Sequence, residues 1–206
     1  MNTPAGRRSF GRGVLLALGA TLHPWPVAAD PAVPSAGEAS LLATIMAGLA
    51  RVESAQARFV ETRTLAALDR PVASTGRLIY QRGVRFAKIT DPPHAERMVV
   101  AGGTLTLAIA GTAPRRIALS SHPRLAAMID AIRAPLAGDL ALLRSDWRVS
   151  ARGTPARWRL DLVPRGAALA RWVRRVRIEG EGDGLRSVLT ISANGDRDLL
   201  AIAPLP

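Results

Sequence analysis

No cysteine occurs anywhere in the chain, which excludes disulfides, thiolate metal sites and cysteine nucleophiles. Histidine is nearly as scarce, with only His23, His94 and His122. No His-Glu-x-x-His, Gly-x-Ser-x-Gly or phosphate-loop pattern accompanies them. His94 follows Pro92-Pro93 and His122 precedes Pro123, so both read as turn or capping residues. Asp91 and Glu96 lie near His94, but without a nucleophile they make no triad. The run Gly180-Glu181-Gly182-Asp183-Gly184 imitates a phosphate loop, yet it separates two strand patterns and reads as a hairpin turn. The expectation is a protein without catalytic residues, metal or cofactor. Aromatic residues make up 4% of the chain, too few for the stacking platforms on which nucleic-acid binding relies.

Lysine is almost absent too. All but one of the 28 basic residues is arginine, the exception being Lys88, and the net charge is +12. Arginine and alanine at this level follow a GC-rich coding bias, so the basicity reads first as a solvated surface. Its densest run is Arg171-Trp172-Val173-Arg174-Arg175-Val176-Arg177. There Val176 and Ile178 point one way while Arg175 and Arg177 point the other, as on an exposed strand, with anionic lipid or an acidic partner as the secondary reading.

What is present begins with an address. Arg7, Arg8 and Arg12 precede a short apolar run from Val14 to Leu22, and Val27-Ala28-Ala29 offers small residues for cleavage. Residues 1–29 are therefore expected to be a secretory signal peptide, with residues 30–206 forming one domain in the bacterial periplasm. The apolar run is too short to span a bilayer. Arg7-Arg8-Ser9-Phe10 also fits a twin-arginine signal, the second choice of export route.

The rest is organised around Thr75 to Lys88. Leu78 and Tyr80 alternate with polar neighbours, Gly83 supplies a turn with Arg82 beside it, and Val84 and Phe86 continue the alternation. Before this hairpin, Ser40 is expected to cap a helix carrying Leu41, Leu42, Ile45, Leu49 and Val52, after a loose leader over 30–37. A strand follows around Phe59 and Val60, which compete for the inward position. Beyond the hairpin come a strand over 97–100, then Leu105, Leu107 and Ile109, then a short strand ending in Ile117 and Leu119. Leu125, Met128, Ile129 and Ile132 lie at helical spacing after Pro123, Pro135 interrupts, and Leu136, Leu140 and Leu143 resume the stripe. Strands return at Trp147/Val149, Trp158/Leu160/Leu162, Val176/Ile178, Leu189/Ile191 and 197–202. The fold class expected is α+β and mostly antiparallel β. It has about ten or eleven strands in one sheet curled towards a barrel, with helices on the concave face.

The order of a helix, Ala57-Arg58-Phe59, Gly76-Arg77-Leu78, Gln81-Arg82, Val99-Val100-Ala101-Gly102-Gly103-Thr104-Leu105 and Leu160-Asp161-Leu162-Val163-Pro164 resembles the LolA family of periplasmic lipoprotein carriers, from Leu41 to Ile202. The resemblance implies an unclosed β-barrel with a helical lid over a hydrophobic cavity that receives acyl chains of a lipoprotein or a related envelope lipid. It also implies a monomer working between an inner-membrane donor complex and an outer-membrane acceptor. On it, the cavity residues are Phe59, Leu78, Tyr80, Phe86, Leu105, Leu107, Leu160 and Leu162. The lid residues are Leu125, Met128, Ile129 and Ile132, and Arg82 matches the arginine that latches the family's lid. Gly83 stands where the family usually has proline, and the chain ends soon after Ile202 without the family's C-terminal extension. Cargo identity and the mode of handover stay open. The competing reading is an envelope scaffold with a filled core, and a lipid hydrolase using His94 or His122 is a weaker third.

Overall fold

The computed structural model describes residues 35–205; the expected signal peptide and most of the leader lie outside them. Helix α1 spans Ala36–Leu49 and starts before Ser40. Its N-cap is Ser35, whose Oγ accepts from the Glu38 N–H at 3.2 Å. Ser35-Ala36-Gly37-Glu38 has the spacing of a capping box, but the Glu38 carboxylate instead accepts from the Ala151 N–H at 3.1 Å. Leu42, Ile45, Met46 and Leu49 are buried.

Among the described residues eleven strands form one antiparallel sheet. They are β1 (Ser54–Thr64), β2 (Val72–Gln81), β3 (Arg85–Thr90), β4 (Glu96–Ala101), β5 (Thr104–Ile109), β6 (Arg115–Ala118), β7 (Trp147–Thr154), β8 (Arg157–Pro164), β9 (Val173–Glu181), β10 (Gly184–Ser192) and β11 (Arg197–Pro204). The order across the sheet is β6-β5-β4-β3-β2-β1-β11-β10-β9-β8-β7. Two meanders thus run outward from the centre, where the first and last strands pair with Phe59 opposite Ile202. β6 and β7 end the sheet without pairing, so it stays an open barrel. Buried side chains from β1, β2, β3, β7, β8, β9, β10 and β11 share one core with α1 and the lid helices. Strands so far apart in one sheet meet a common core only if the sheet curls around it.

Alternation is obeyed where it was expected, with some exceptions. Phe59 is buried while Val60 is 51% exposed, so Phe59 holds the inward position. It has room because its cross-strand neighbour is Gly76, where any Cβ would collide with the Phe59 ring. Trp158 lies against Gly180 in the same way. Val84 belongs to the turn Arg82-Gly83-Val84 rather than to the inward row, and it is 60% exposed. Gly83 there has φ 67°, the left-handed region. On β10 the inward residue is Val188, opposite Ile178 and Leu200; Leu189 pairs with Arg177 and Leu199 on the outer face.

The insert between β6 and β7 holds helix α2 (Pro123–Ala137) and helix α3 (Leu140–Asp146). Pro135 does not interrupt α2, which runs on to Ala137 although proline supplies no N–H to the Ala131 carbonyl. The break is at Gly138, with φ 71°. The Asp139 N–H bonds to the Ala134 carbonyl and the Gly138 N–H to that of Pro135, both at 2.9 Å, the reciprocal pair of a Schellman motif. Asp139 then caps α3 through the Leu142 N–H at 2.8 Å. Glycine is required there twice over, since a side chain would also press on Ala50 at the end of α1.

Candidate functional site

The inner face borders empty space at one end of the sheet. The walls are Ala57 of β1, Leu78 and Tyr80 of β2, Phe86 of β3, Val188 of β10, and Leu200 and Ile202 of β11, and Ile132 and Leu136 of α2 form the roof. The volume is about 320 Å³, at the small end of ligand cavities. Its rim is polar, with Gln56, Glu181, Asp183 and Arg186; Arg186 is held by Glu181 at 3.2 Å. An apolar interior under a charged rim suits a ligand that is mostly hydrocarbon.

Tyr80 divides this cavity from a second one of about 240 Å³. The second is lined by Phe86, Val100, Arg133, Ala134, Ala137, Asp139 and Leu142, and Tyr80 and Phe86 border both. The Tyr80 hydroxyl donates to the Leu136 carbonyl at 3.0 Å. That carbonyl belongs to the last turn of α2, whose final C=O groups have no partner within the helix. The Schellman pair takes two of them, and Tyr80 takes that of Leu136. Burial raises the Tyr80 pKa above the ordinary phenol value, so the hydroxyl keeps the proton it donates.

The structure places the other expected residues in several settings. Leu78, Tyr80, Phe86 and Ile132 come together around the main cavity. Phe59, Leu160 and Leu162 are inward but packed in solid core. Leu105 joins Val100, Leu119 and Ile129 in a separate cluster, with Leu125 packed against it, and Leu107 is half-buried opposite Met98. Leu125 and Met128 line an outer depression near Trp172. Arg82 donates to the Val52 carbonyl at 2.8 Å and lies 3.2 Å from the Glu53 carboxylate. It therefore ties the hairpin turn to the segment after α1. The direct bond from this hairpin to the lid backbone comes from Tyr80, whose hydroxyl sits where an apolar pattern gave no reason to look. Val188, Leu200 and Leu136 were also missed, since nothing in their local pattern distinguishes a cavity wall from packed core.

Beyond Phe59 the inner face turns polar. Glu61, 4% exposed, accepts hydrogen bonds from Lys88 and from the Ser74 hydroxyl, the latter at 3.0 Å, and lies 3.1 Å from Arg63. Lys88 also stands 5.1 Å from the centre of the Phe59 ring, within cation–π range. Burial pushes the Glu61 carboxyl up, but the Lys88 hydrogen bond and charge, with Arg63 and Ser74, more than offset it and hold its pKa below the ordinary carboxylate value. Burial, followed by the charge of Glu61, pushes Asp198 the other way. Phe59 and this charged group close the apolar interior on that side. His94 and His122 are both exposed, and among the described residues no group of three or more His, Asp or Glu side chains is arranged to hold a metal ion.

The sequence over residues 34–204 matches the model of the family described as outer membrane lipoprotein carrier protein LolA-like. The chain belongs to that family. Among solved structures, this LolA-like chain is similar to a LolA superfamily protein from Nitrosomonas europaea, at 10% identity and TM-score 0.41, over 84% of this chain and 92% of the other. It is also similar to MucB, at 16% identity and TM-score 0.46, over 82% of this chain and 58% of the other. LprF from Mycobacterium bovis matches at 9% identity and TM-score 0.30, over 81% and 93%. No curated protein matches the sequence. Among the described residues no helix is long and apolar enough to cross a membrane.

Proposed function

We propose that this LolA-like chain is a non-enzymatic periplasmic carrier. It takes acyl chains of a lipoprotein or related envelope lipid into the cavity between Leu78, Val188 and Leu200, and shuttles them from an inner-membrane donor to an outer-membrane acceptor. The observation that carries this reading is the apolar cavity against the central strands of the sheet, roofed by a lid that Tyr80 joins by one hydrogen bond. At about 30 Å³ per water-sized group, 320 Å³ holds roughly ten methylenes. Their burial is worth about 8 kcal/mol at ~0.8 kcal/mol each. Breaking the buried Tyr80–Leu136 bond leaves two polar groups unpaired at about 1–3 kcal/mol each, less than the burial of the chain returns. A longer chain would then pass Tyr80 into the second cavity. Arg82 keeps a part as a clamp on the rim, because Val52, whose carbonyl it holds, lines the same cavity.

A specific observation favours the scaffold reading: Trp147, Trp158, Leu160 and Leu162 fill the β7–β8 side of the interior solidly. Mass spectrometry of lipids extracted from protein purified from the periplasm separates the two. A carrier yields acylated species that Leu185→Trp, a substitution of a β10 residue that lines the cavity, depletes several-fold. Lipid-free protein that also fails to retain an added acylated ligand refutes the carrier and leaves the scaffold.

A further inference from the structure

The basic run after β8 does not behave as one unit. Arg175 and Arg177 lie on the outer face, where Asp161 approaches them at 3.8 Å and 3.0 Å and also holds Arg159 at 3.3 Å. Arg171 and Arg174 are exposed, and among the described residues neither they nor Arg124 form an ion pair. Arg174 sits at an irregularity in the β9–β10 ladder, between Ile191 and Ser192 on the facing strand. Between these arginines is Trp172, 60% exposed. Its backbone is fixed by its own N–H to the Leu169 carbonyl and by the Ala193 N–H to its carbonyl, both at 2.9 Å. Leu169 is buried in the core, so the short helix α4 (Ala167–Ala170) holds the indole out on a rigid base.

The guanidinium of Arg124 stacks over the indole at 4.6 Å. Arg124 occupies the first turn of α2, which has no acidic residue and where a cation is disfavoured by the helix dipole. The contact with the Trp172 ring is therefore what favours a cation at that position. Beside the ring is a shallow apolar depression lined by Leu125, Met128 and Leu169. An exposed indole, three unpaired arginines and an apolar depression form the composition that settles at a bilayer interface. The ring sits at headgroup depth, aliphatic stems lie along the apolar surface, and guanidinium groups meet lipid phosphates.

We infer that the corner formed by Arg124, Arg171, Trp172 and Arg174 docks the protein on an anionic phospholipid surface. This goes beyond the cavity and does not depend on it. β9 begins beside Trp172 and ends at Glu181 on the cavity rim, nine residues later, roughly 25–30 Å at the strand rise. Docking by this corner leaves the mouth free for a protein partner. Each arginine near an anionic surface raises affinity about fivefold, so the three together give a preference on the order of 100-fold over a neutral surface.

The test is co-sedimentation with vesicles of phosphatidylcholine alone and of phosphatidylcholine with 30% phosphatidylglycerol, read alongside tryptophan emission. The protein should favour the anionic vesicles on the order of 100-fold, with a blue shift that Trp172→Ser abolishes; Trp147 and Trp158 are already buried. Arg124→Gln/Arg171→Gln/Arg174→Gln should lose nearly all of that preference at unchanged circular dichroism and Tm. Removing three exposed arginines elsewhere, Arg97→Gln/Arg144→Gln/Arg152→Gln, should keep most of it. Equal binding to both vesicles, or equal loss in the two triple variants, overturns the inference. So does binding to polyglutamate with no vesicle binding, which would make the corner a site for acidic protein.

Discussion

Replacing Lys88 with methionine isolates the charged closure at the inner end of the sheet. Methionine keeps the unbranched stem over Phe59 and removes the ammonium that faces Glu61. Glu61 is 4% exposed, so water cannot replace the lost partner. Breaking a buried pair from one side costs about 3–5 kcal/mol. Glu61 retains the Ser74 hydroxyl and Arg63, which places the expected loss at the lower end, about 3 kcal/mol. The pH dependence distinguishes this cause from lost packing. In the wild type the Glu61 pKa is lowered, so its contribution is full above the unfolded carboxylate value and is lost as pH falls through the folded one. In Lys88→Met burial dominates and the Glu61 pKa moves above the unfolded value. The native state then binds the extra proton, and the variant gains stability relative to wild type as pH falls through that window. Urea unfolding at pH 7.5 and pH 5 measures both effects. The double variant Glu61→Gln/Lys88→Met should recover most of the loss, because no unpaired charge remains. A single variant as stable as wild type, or a double variant losing the full sum of both singles, would refute the assignment of Glu61 as a buried carboxylate held by Lys88.

Three further outcomes follow from named contacts. Tyr80→Phe leaves the Leu136 carbonyl without a partner, costs about 1–2 kcal/mol, and should speed native-state hydrogen exchange at Gly138 and Asp139; unchanged protection would exclude Tyr80 as a lid contact. Gly138→Ala combines a positive φ with pressure on Ala50 and should cost about 1–3 kcal/mol, lowering Tm by several degrees, with an unaltered Tm counting against both causes. Arg82→Leu removes the Val52 and Glu53 contacts and should change lipid loading or release with little change in circular dichroism; transfer at the wild-type rate would dismiss the rim clamp.

Much of the architecture was legible locally. Leu78/Tyr80, Leu160/Leu162 and Val176/Ile178 alternate because successive strand residues face opposite sides, and their inward placement follows from that alone. The spacing of Leu125, Met128, Ile129 and Ile132 marked α2 for the same kind of reason. Other features were written in the chain but outweighed by a louder neighbour. Ser35-Ala36-Gly37-Glu38 lost to Ser40 as the cap, and Pro135 drew attention from Gly138-Asp139, the true break. Val60 and Phe59 were indistinguishable until Gly76 was placed across from Phe59. The partner of Arg82 is not encoded near Arg82 at all, since it depends on where the end of α1 comes to rest.

Sequence alone therefore determined the strands, most of their faces, the helical insert and, through short ordered motifs, the LolA-like resemblance, because these depend on residues close together in the chain. Only the tertiary structure decided which inward side chains border a void and which are packed. A void is a mismatch of volumes between elements distant in sequence: Ala57, Leu78, Leu136, Val188 and Leu200 meet around one, whereas Leu160 and Leu162 are enclosed completely. No local pattern carries that difference, since the same leucine on the same inward face is core or cavity wall according to how far away the opposing element lies.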